Sequence, residues 1–461
     1  MPSEGWCSRM AKKTLLLVEA PSKARHIQQF LGSDYIVKPT VGHFREMPLP
    51  RDMKPADKAK YGDYAQDTAG NFEALYKISK DKSKLVTELK ALLKTVDELV
   101  LATDADAEGA AISWHILQEL KPKVPTYRAT WNEITDRAVR AGLAAMKPID
   151  EKKHTPADFF GQAESALARS QWDRLFGYGV SPLMWKMVRS GTSGGRVQTP
   201  GTKLVVEREE RRLAFKTVAF YTIYGTFSGI KAKLTTFNGK KIADASKIDD
   251  DGNLTAGYNL ITDKNLDAIL KDLKAKSYEV GEVKSKPYRR TPPPPFTTST
   301  ALQSIGSKTR LSAKQLTSVL QSLYVSTHCT YIRTVSVEAA PEAIAEARNE
   351  LKRLFGAKLV PATARVHKDK KAGNSGHECI RPVLDDSSGK LVNPKLSGND
   401  EKVFELVRLR FLASQSIDCE GTTWGTTFLA TDGKATFQAS ETEIHEPGWT
   451  TVYEMDEEVG A

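Results

Sequence analysis

The chain has 461 residues, a length that exceeds one compact core and predicts several domains. Its 67 lysines and arginines outnumber 57 aspartates and glutamates, which gives a net charge of +10 at pH 7. This charge favours a polyanionic partner, nucleic acid first, although a basic solvated surface explains it equally well. No apolar run approaches the roughly 20 residues that span a bilayer, so the sequence predicts no membrane-spanning helix.

The cysteines are few and widely spaced. Cys7, Cys329, Cys379 and Cys419 form no close pair and have no histidine spacing that would build a zinc site. We expect reduced thiols in a cytoplasmic protein. A second methionine, Met10, directly precedes the first predicted strand, so residues 1–9 are interpreted as an upstream extension without a structural role.

The N-terminal region has the alternation of strands and helices that is typical of α/β domains. Leu15–Val18 is a short apolar run that predicts a buried parallel strand, and Ser22–Leu31 predicts the helix after it. A second strand, Glu98–Ala102, runs into an acidic turn at residues 104–109 and another helix. Because sites in parallel sheets collect at the carboxyl ends of strands, we expect Glu19 and the acidic turn to lie at one site.

Downstream, the pattern changes from helical to period two. Residues 155–213 are mostly helical in pattern, with a glycine-rich, basic interruption at residues 191–196. A stiff Pro292–Pro295 hinge then precedes a helical insert that extends to about residue 416. The alternating segments that predict strands on either side of this insert are Phe220–Thr226, Tyr278–Val283 and Trp424–Phe428.

The acidic turn carries candidate metal ligands. If the turn is extended, the carboxylates of Asp104, Asp106 and Glu108 can converge on one Mg²⁺ ion, with Glu19 completing the group. The alternative is an acidic loop that only caps the following helix through its dipole. Lys23 lies near the start of the first helix, where it can offer charge to a phosphate, or it is an exposed surface lysine.

Two further segments suggest phosphate chemistry. In an extended Thr330–Thr334 segment, Arg333 would lie beside the hydroxyl of Tyr331, and a guanidinium beside a phenol suits attack on a phosphodiester. Most tyrosines are structural, so this pair is uninformative alone. His43 follows a glycine turn suited to a phosphate contact, and His377 can donate to phosphate or be a core histidine.

Taken together and in this order, these segments resemble those of type IA DNA topoisomerases over almost the whole chain. Chance agreement of seven ordered segments is negligible. The segments are residues 17–24 (LVEAPSKA), 41–48 (VGHFREMP), 102–109 (ATDADAEG), 193–199 (SGGRVQT), 295–300 (PFTTST), 330–334 (TYIRT) and 377–382 (HECIRP).

The resemblance implies a multidomain fold that combines α/β, α and β parts in a toroid-like gate. It places a Toprim domain at residues 1–150 and the first part of a helical DNA-binding domain at 151–215. A β arch would comprise residues 216–294 and 417–461, interrupted at 295–416 by the helical domain that carries the nucleophile.

The resemblance also implies residue roles. Tyr331 is expected to attack DNA, with Arg333, Glu19, Lys23 and His377 assisting. The expected Mg²⁺ ligands are Glu19, Asp104, Asp106 and Glu108. The residues expected to contact DNA are His43, Arg169, Asp173, Ser193, Gly194, Gly195, Arg196, Val197, Gln198 and Arg381.

In this family the tyrosine becomes linked to a 5′ phosphate, another strand passes, and the ends rejoin without ATP, which relaxes negative supercoils. The resemblance therefore implies a DNA-associated enzyme acting mainly on single strands. This chain departs from the family by having Ala107, Ala110 and Val335 at usually charged positions. It also closes shortly after Tyr453, where the family continues, so a second polypeptide is one expectation. A non-catalytic DNA-binding relative is the alternative, whereas another Toprim enzyme, a primase or nuclease, does not explain the Tyr331 segment.

Overall fold

The computed structural model describes residues 12–369 and 378–453 and divides into two compact units. The first contains Met1–Arg196, Pro293–Ser416 and Val452–Ala461, and the second contains Val197–Pro292 and Ile417–Thr451. Residues 1–9, Cys7 and His377, which carry predictions, lie outside the described residues. Within the described part, no helix is long and apolar enough to cross a membrane.

The first unit begins with an α/β domain. Its strands are Thr14–Val18 (β1), Tyr35–Pro39 (β2), Arg45–Glu46 (β3), Lys77–Ile78 (β4), Glu98–Leu101 (β5), Thr126–Arg128 (β6) and Lys147–Pro148 (β7). Its helices are Pro21–Leu31 (α1), Pro55–Tyr61 (α2), Ser83–Leu92 (α3), Ala107–Leu120 (α4) and Asp136–Ala144 (α5). Five of these strands form a sheet in the order β2-β1-β5-β6-β7, in which the β6–β7 pair is antiparallel and the other pairs are parallel, and β3 and β4 form a separate antiparallel pair.

This strand order determines where a site can form. β1 and β5 are neighbours, and both run in the same direction. Their side chains are fully buried, including Leu15, Leu17, Leu99 and Leu101 in one hydrophobic cluster with α4. Burial on both faces explains why these strands read as continuous apolar runs. The segments that follow β1 and β5 therefore emerge side by side at one edge of the sheet.

A long helix, Ala157–Met187 (α6), follows the α/β domain. Its first turns bury Phe159, Phe160 and Ala163 in the core of that domain. The glycine-rich segment after α6 folds back on the helix, because a Cβ on Gly194 would lie 2.5 Å from Cγ1 of Val180. Only glycine tolerates that approach.

The second unit is a sheet covered by a helix. Its strands are Tyr224–Phe227 (β8), Ile230–Phe237 (β9), Lys240–Ile242 (β10), Tyr258–Asn259 (β11), Tyr278–Arg290 (β12), Cys419–Ala430 (β13) and Ala435–Glu446 (β14). The order is β11-β10-β9-β14-β13-β12, with β8 beside β9. Its helices are Gln198–Ala214 (α7) and Asp263–Lys274 (α8). Ile269 and Leu273 of α8 pack against Phe428 and Phe437.

The remaining helices belong to the first unit. They are Thr298–Thr309 (α9), Ala313–Val325 (α10), Pro341–Phe355 (α11) and Gly398–Ala413 (α12). A capping box between Ser312 and Gln315 begins α10, which buries Leu316, Leu320 and Leu323. Tyr331 lies between α10 and α11 in a segment without regular structure, so the extended strand considered for Thr330–Thr334 does not form.

The prediction of a multidomain fold with α/β, α and β parts is confirmed. The expected helical insert corresponds to α9–α12, and the segments Tyr278–Val283 and Trp424–Phe428 lie in β12 and β13. Of Phe220–Thr226, only residues 224–226 lie in a strand, β8. The five domain boundaries inferred from the resemblance remain predictions. The division into two units assigns α7 to the same unit as the sheet, whereas the resemblance grouped residues 151–215 together.

Truncating the central strand should destabilise the first unit much more than truncating an exposed position. We expect Leu17→Ala to lower the free energy of unfolding by about 2–5 kcal/mol, because Leu17 is fully buried and its loss leaves a cavity. Leu183→Ala is the control, since Leu183 is 56% exposed, and it should change stability by about 0.5 kcal/mol or less. Urea unfolding followed by circular dichroism measures both; equal effects would contradict the strand's central position.

Candidate active site

The site lies where β1 and β5 end. Glu19 follows β1, and the acidic turn, residues 104–108, follows β5. The backbone N–H of Asp104 donates a hydrogen bond of 3.1 Å to Oε1 of Glu19. A Cβ on Gly109 would lie 2.3 Å from the carbonyl oxygen of Asp104 and 2.9 Å from Oε1 of Glu19. Gly109 therefore permits the acidic turn to pack directly against the start of α4.

Asp106 has two partners. It is the N-cap of α4, and its Oδ1 accepts a hydrogen bond of 2.7 Å from the N–H of Gly109. Its Oδ2 accepts a hydrogen bond of 2.6 Å from the hydroxyl of Tyr331. Asp106 therefore caps α4 through one carboxylate oxygen and contacts Tyr331 through the other, and its role as a metal ligand stays a prediction.

Lys23 is buried rather than exposed, which excludes the surface alternative. Its ammonium lies 2.5 Å from Oδ1 of Asp104 and 4.9 Å from the centre of the Tyr324 ring. The first turn of α1 thus delivers a positive charge directly to the acidic turn. Tyr324, which the sequence analysis did not identify, covers this charge with an aromatic face.

Tyr331 is held from several sides. Its N–H donates to the carbonyl of Asn132 over 3.0 Å, and its ring meets that of Tyr324 edge to face at 5.2 Å. The side chain of Arg333 extends to the same place, with Nη1 2.9 Å from Oε2 of Glu108 and 3.8 Å from Oδ2 of Asp106. The phenol and the guanidinium therefore meet at one carboxylate, although the segment is not a strand.

The environment of Tyr331 favours the protonated phenol. The residue is 6% exposed. Burial raises the pKa of Tyr331 far above its usual range, and the negative charges of Asp104 and Asp106 raise it further, while Arg333 lowers it. Before this oxygen can attack, its proton must pass to an acceptor, or a positive charge must come close enough to lower the pKa of Tyr331.

Glu19 titrates near neutrality. Burial, followed by the charge of Asp104, raises the pKa of Glu19 from 4.5 to about 7, against the opposing effect of Lys23. A carboxyl group that changes protonation near pH 7 is suited to proton transfer.

Arg128, at the end of β6, holds the start of the acidic turn in place. No sequence pattern marks it, because it is a lone arginine. Its guanidinium donates to the carbonyls of Leu101, Thr103 and Asp104 over 3.0, 2.9 and 2.7 Å. Burial lowers the pKa of Arg128 to about 10, so the group stays charged at neutral pH. It places a buried positive charge below the turn.

The acidic group fits Mg²⁺ only with help from other ligands. Within residues 12–369 and 378–453, no three His, Cys, Asp or Glu side chains are arranged to hold a metal ion. Asp104, Asp106 and Glu108 contact Lys23, Tyr331 and Arg333 respectively. Magnesium usually takes one or two carboxylates together with waters and phosphate oxygens. Burial is the largest cause of the raised pKa of Glu19, and the charge of Asp104 is the second; a divalent cation would offset the effect of that charge.

Several residues predicted to contact DNA line a cavity of about 570 Å³ next to Glu108. His43, Arg169 and Asp173 belong to this lining. The ring centroids of His43 and His115 are 5.6 Å apart, and burial lowers the pKa of His43 against the opposing charge of Glu108. His115 was not identified from the sequence.

The glycine-rich segment lies between α6 and α7. Nε of Arg196 is 2.8 Å from Oδ1 of Asp173, and the N–H of Gly194 donates to Oγ of Ser181 over 3.2 Å. Ser193 and Gly195 flank Gly194 in the first unit, whereas Val197 and Gln198 open the second unit. Roles of these residues in DNA binding remain predictions.

Arg381 does not present a free guanidinium to DNA. Its side chain is 1% exposed, with Nε 2.7 Å from Oε2 of Glu378 and Nη2 3.2 Å from Oε2 of Glu133. A phosphate contact would require both buried ion pairs to open, so this placement favours a structural role.

Comparison with known proteins places these features in a family. The Toprim domain family matches residues 14–134, and the family described as DNA topoisomerase matches residues 158–460. DNA topoisomerase 1 of Streptomyces coelicolor is 37% identical over 429 residues, which cover 89% of this chain and 43% of that protein. DNA topoisomerase 1 of Mycobacterium tuberculosis is 35% identical over 473 residues, covering 97% and 50%.

A solved structure agrees with the sequence relatives. Full-length topoisomerase I from Thermotoga maritima superposes with a TM-score of 0.73 at 29% identity, covering 97% of this chain and 68% of that one. The chain spans about half the length of the curated relatives it matches. With matches over both of its parts, the chain belongs to the type IA DNA topoisomerase family and carries a Toprim domain.

Proposed function

We propose that this chain cleaves and rejoins one strand of DNA with Tyr331 as the nucleophile, as the core of an ATP-independent topoisomerase that relaxes negative supercoils. The observation that carries the proposal is the 2.6 Å hydrogen bond between the Tyr331 hydroxyl and Asp106. It joins a tyrosine to an acidic turn 225 residues away in the sequence. A merely structural tyrosine needs no partner in the acidic turn that follows β5.

The reaction exchanges one phosphodiester for another. The phenol oxygen of Tyr331 bonds to phosphorus, the bond from phosphorus to the 3′ oxygen breaks, and the DNA keeps a 5′ phosphotyrosyl link. The phenol proton passes to Asp106, its hydrogen-bond acceptor. Glu19, whose pKa is near 7, supplies a proton to the departing 3′ oxygen. Reversal rejoins the strand without consuming a nucleotide.

Positive charge near the phosphate comes from Arg333 and Lys23. Arg333 is 61% exposed and paired with Glu108 at the surface, so a phosphate can replace that carboxylate at little cost. Lys23 is fixed against Asp104 and offers a preorganised charge. Both charges stabilise the negative oxygens that develop during attack.

We propose that Asp104, Asp106 and Glu108, with Glu19, hold Mg²⁺ together with water and DNA phosphate. The ion would supply further positive charge to the phosphate. Lys23 and Arg333 now pair with Asp104 and Glu108, and Tyr331 donates a hydrogen bond to Asp106, so metal binding requires these contacts to rearrange.

The substrate in this proposal is single-stranded DNA, and the enzyme acts in the cytoplasm in association with DNA. His43, Arg169 and Asp173 line a cavity beside Glu108 that suits the strand next to the cleaved phosphate. In this proposal, complete strand passage also uses a segment supplied by a second polypeptide. Exposed apolar side chains at the end of α6, Trp185 and Met187, support this part of the proposal.

Substituting the nucleophile tests the proposal directly. Incubation of the full chain with Mg²⁺ and a 3′-labelled single-stranded oligonucleotide should give a denaturant-stable adduct on a gel. Tyr331→Phe should abolish this adduct, because it removes only the attacking oxygen, and should retain DNA binding. Tyr258→Phe, in the second unit, is the matched control and should form adduct normally. DNA binding without adduct by the unaltered chain would instead indicate a non-catalytic relative.

The pKa of Glu19 predicts a pH-dependent stability. Between pH 4.5 and 7 the unfolded chain releases a proton that the folded chain retains at Glu19, so wild-type stability falls as pH rises through this window. Glu19→Gln removes this dependence and, in chelator, should be more stable than wild type at pH 8 by about 1–3 kcal/mol, but not at pH 4. Thermal unfolding measures the difference. Glu164→Gln, at an exposed position of α6, is the control; a pH-independent difference for Glu19→Gln would refute the assignment.

A further inference from the structure

We infer that Asp386 and Arg381 position Tyr331 by latching its segment onto residues 132–137, separately from the acidic turn. We call residues 132–137 the latch strip. The inference rests on the proposed function, because it concerns how the nucleophile is held and released. It concerns contacts that do not include the Mg²⁺ candidates.

Asp386 caps a helix to which it is not adjacent in sequence. Its Oδ2 accepts a hydrogen bond of 2.6 Å from the N–H of Asp136, and its Oδ1 accepts one of 3.3 Å from the N–H of Arg137. These are the first two N–H groups of α5, which have no partner within the helix. The local N-cap, Thr135, satisfies only Ala138 over 3.2 Å. A carboxylate from 250 residues away thus completes the helix terminus and meets its positive dipole end.

Arg381 makes the second contact with the latch strip. It pairs with Glu133 at 3.2 Å, and the two side chains are 1% and 6% exposed. Breaking such a buried pair leaves an uncompensated charge, so the contact holds as long as the two surfaces stay together. Neither Arg381 nor Asp386 contacts the acidic turn through a hydrogen bond or ion pair shown for the described residues.

The latch is coupled directly to the nucleophile through the backbone. The N–H of Thr330 donates to the carbonyl of Arg381 over 2.9 Å, and the N–H of Arg381 donates to Oγ1 of Thr330 over 3.0 Å. The next residue, Tyr331, donates its N–H to Asn132 at the start of the latch strip. Three consecutive connections therefore fix the position of Tyr331 relative to α5.

DNA binding affects the contacts of the latch strip and the contacts of the acidic turn differently. A phosphate must displace Tyr331 from Asp106 and Arg333 from Glu108. The latch strip requires no such exchange, so it keeps Tyr331 in place during attack and rejoining. Separation of the two surfaces after cleavage, by contrast, must break the latch. Asp386 is exposed, so its hydrogen bonds to α5 break first, whereas the buried ion pair between Arg381 and Glu133 breaks last.

Hydrogen–deuterium exchange of the full chain without DNA tests the latch. Asp386→Ala should speed exchange in peptides covering the latch strip and also in peptides covering residues 326–336, by roughly 5- to 30-fold. Asp386→Asn, which keeps one acceptor oxygen, should have a smaller effect. Ala141→Gly is the matched control, because it weakens α5 from an exposed position without touching the latch. If Asp386→Ala accelerates exchange only within α5, as Ala141→Gly should, the latch is refuted.

A DNA experiment then separates this inference from the proposed function. With a 5′-labelled oligonucleotide, release of the fragment bearing the 3′ hydroxyl competes with rejoining. Asp386→Ala should raise the ratio of release to rejoining several-fold, and Ala141→Gly should leave it unchanged. No adduct from wild type would overturn the proposed function while the exchange experiment still decides the latch. An unchanged ratio in an active Asp386→Ala chain would overturn the latch.

Discussion

The hydrogen bond from the Tyr331 hydroxyl to Asp106 is the interaction on which the arrangement of the site depends. It brings a segment without regular structure into contact with the N-cap of α4, which is itself anchored by two buried strands. The same carboxylate holds the helix terminus through one oxygen and the phenol through the other. Asp106 therefore fixes the position of Tyr331 relative to the sheet, although the segment around Tyr331 forms no strand hydrogen bonds of its own.

Such a contact exists only because the surrounding charges are balanced. Lys23, Arg128 and Arg333 face the acids from three directions, and Gly109 allows the turn to approach Glu19 closely. Burial of Tyr331 and of Glu19, followed by the charge of Asp104, raises the pKa of each of these two groups. The raised pKa values favour the protonated forms of Tyr331 and Glu19 before DNA binds. An incoming phosphate changes the charge around them, because it draws Arg333 away from Glu108. The family's usual charges at Ala107 and Ala110 are absent, and the buried cations Lys23 and Arg128 remain.

The features that depend on local sequence pattern could be predicted from the sequence. The apolar runs at β1 and β5 identified buried strands, and their carboxyl ends correctly located Glu19 beside the acidic turn. Arg128 and Asp386 could not be found, because their importance comes from long-range contacts that leave no periodic signal. The sequence left two alternatives open for Lys23, and the placement of Arg333 beside Tyr331 was expected only if Thr330–Thr334 was extended. Lys23 is buried by Tyr324, and Tyr331 is fixed by tertiary hydrogen bonds that replace a strand.

A double-mutant cycle on the free energy of unfolding measures the central contact most directly. Tyr331→Phe, Asp106→Ala and the double variant would be compared with the unaltered chain in the absence of DNA and metal. The cycle subtracts the lost helix cap, which is common to both variants of Asp106. We expect a coupling energy of about 1.5–3 kcal/mol, the value typical of a hydrogen bond to a charged acceptor. A coupling energy within about 0.3 kcal/mol of zero would contradict it.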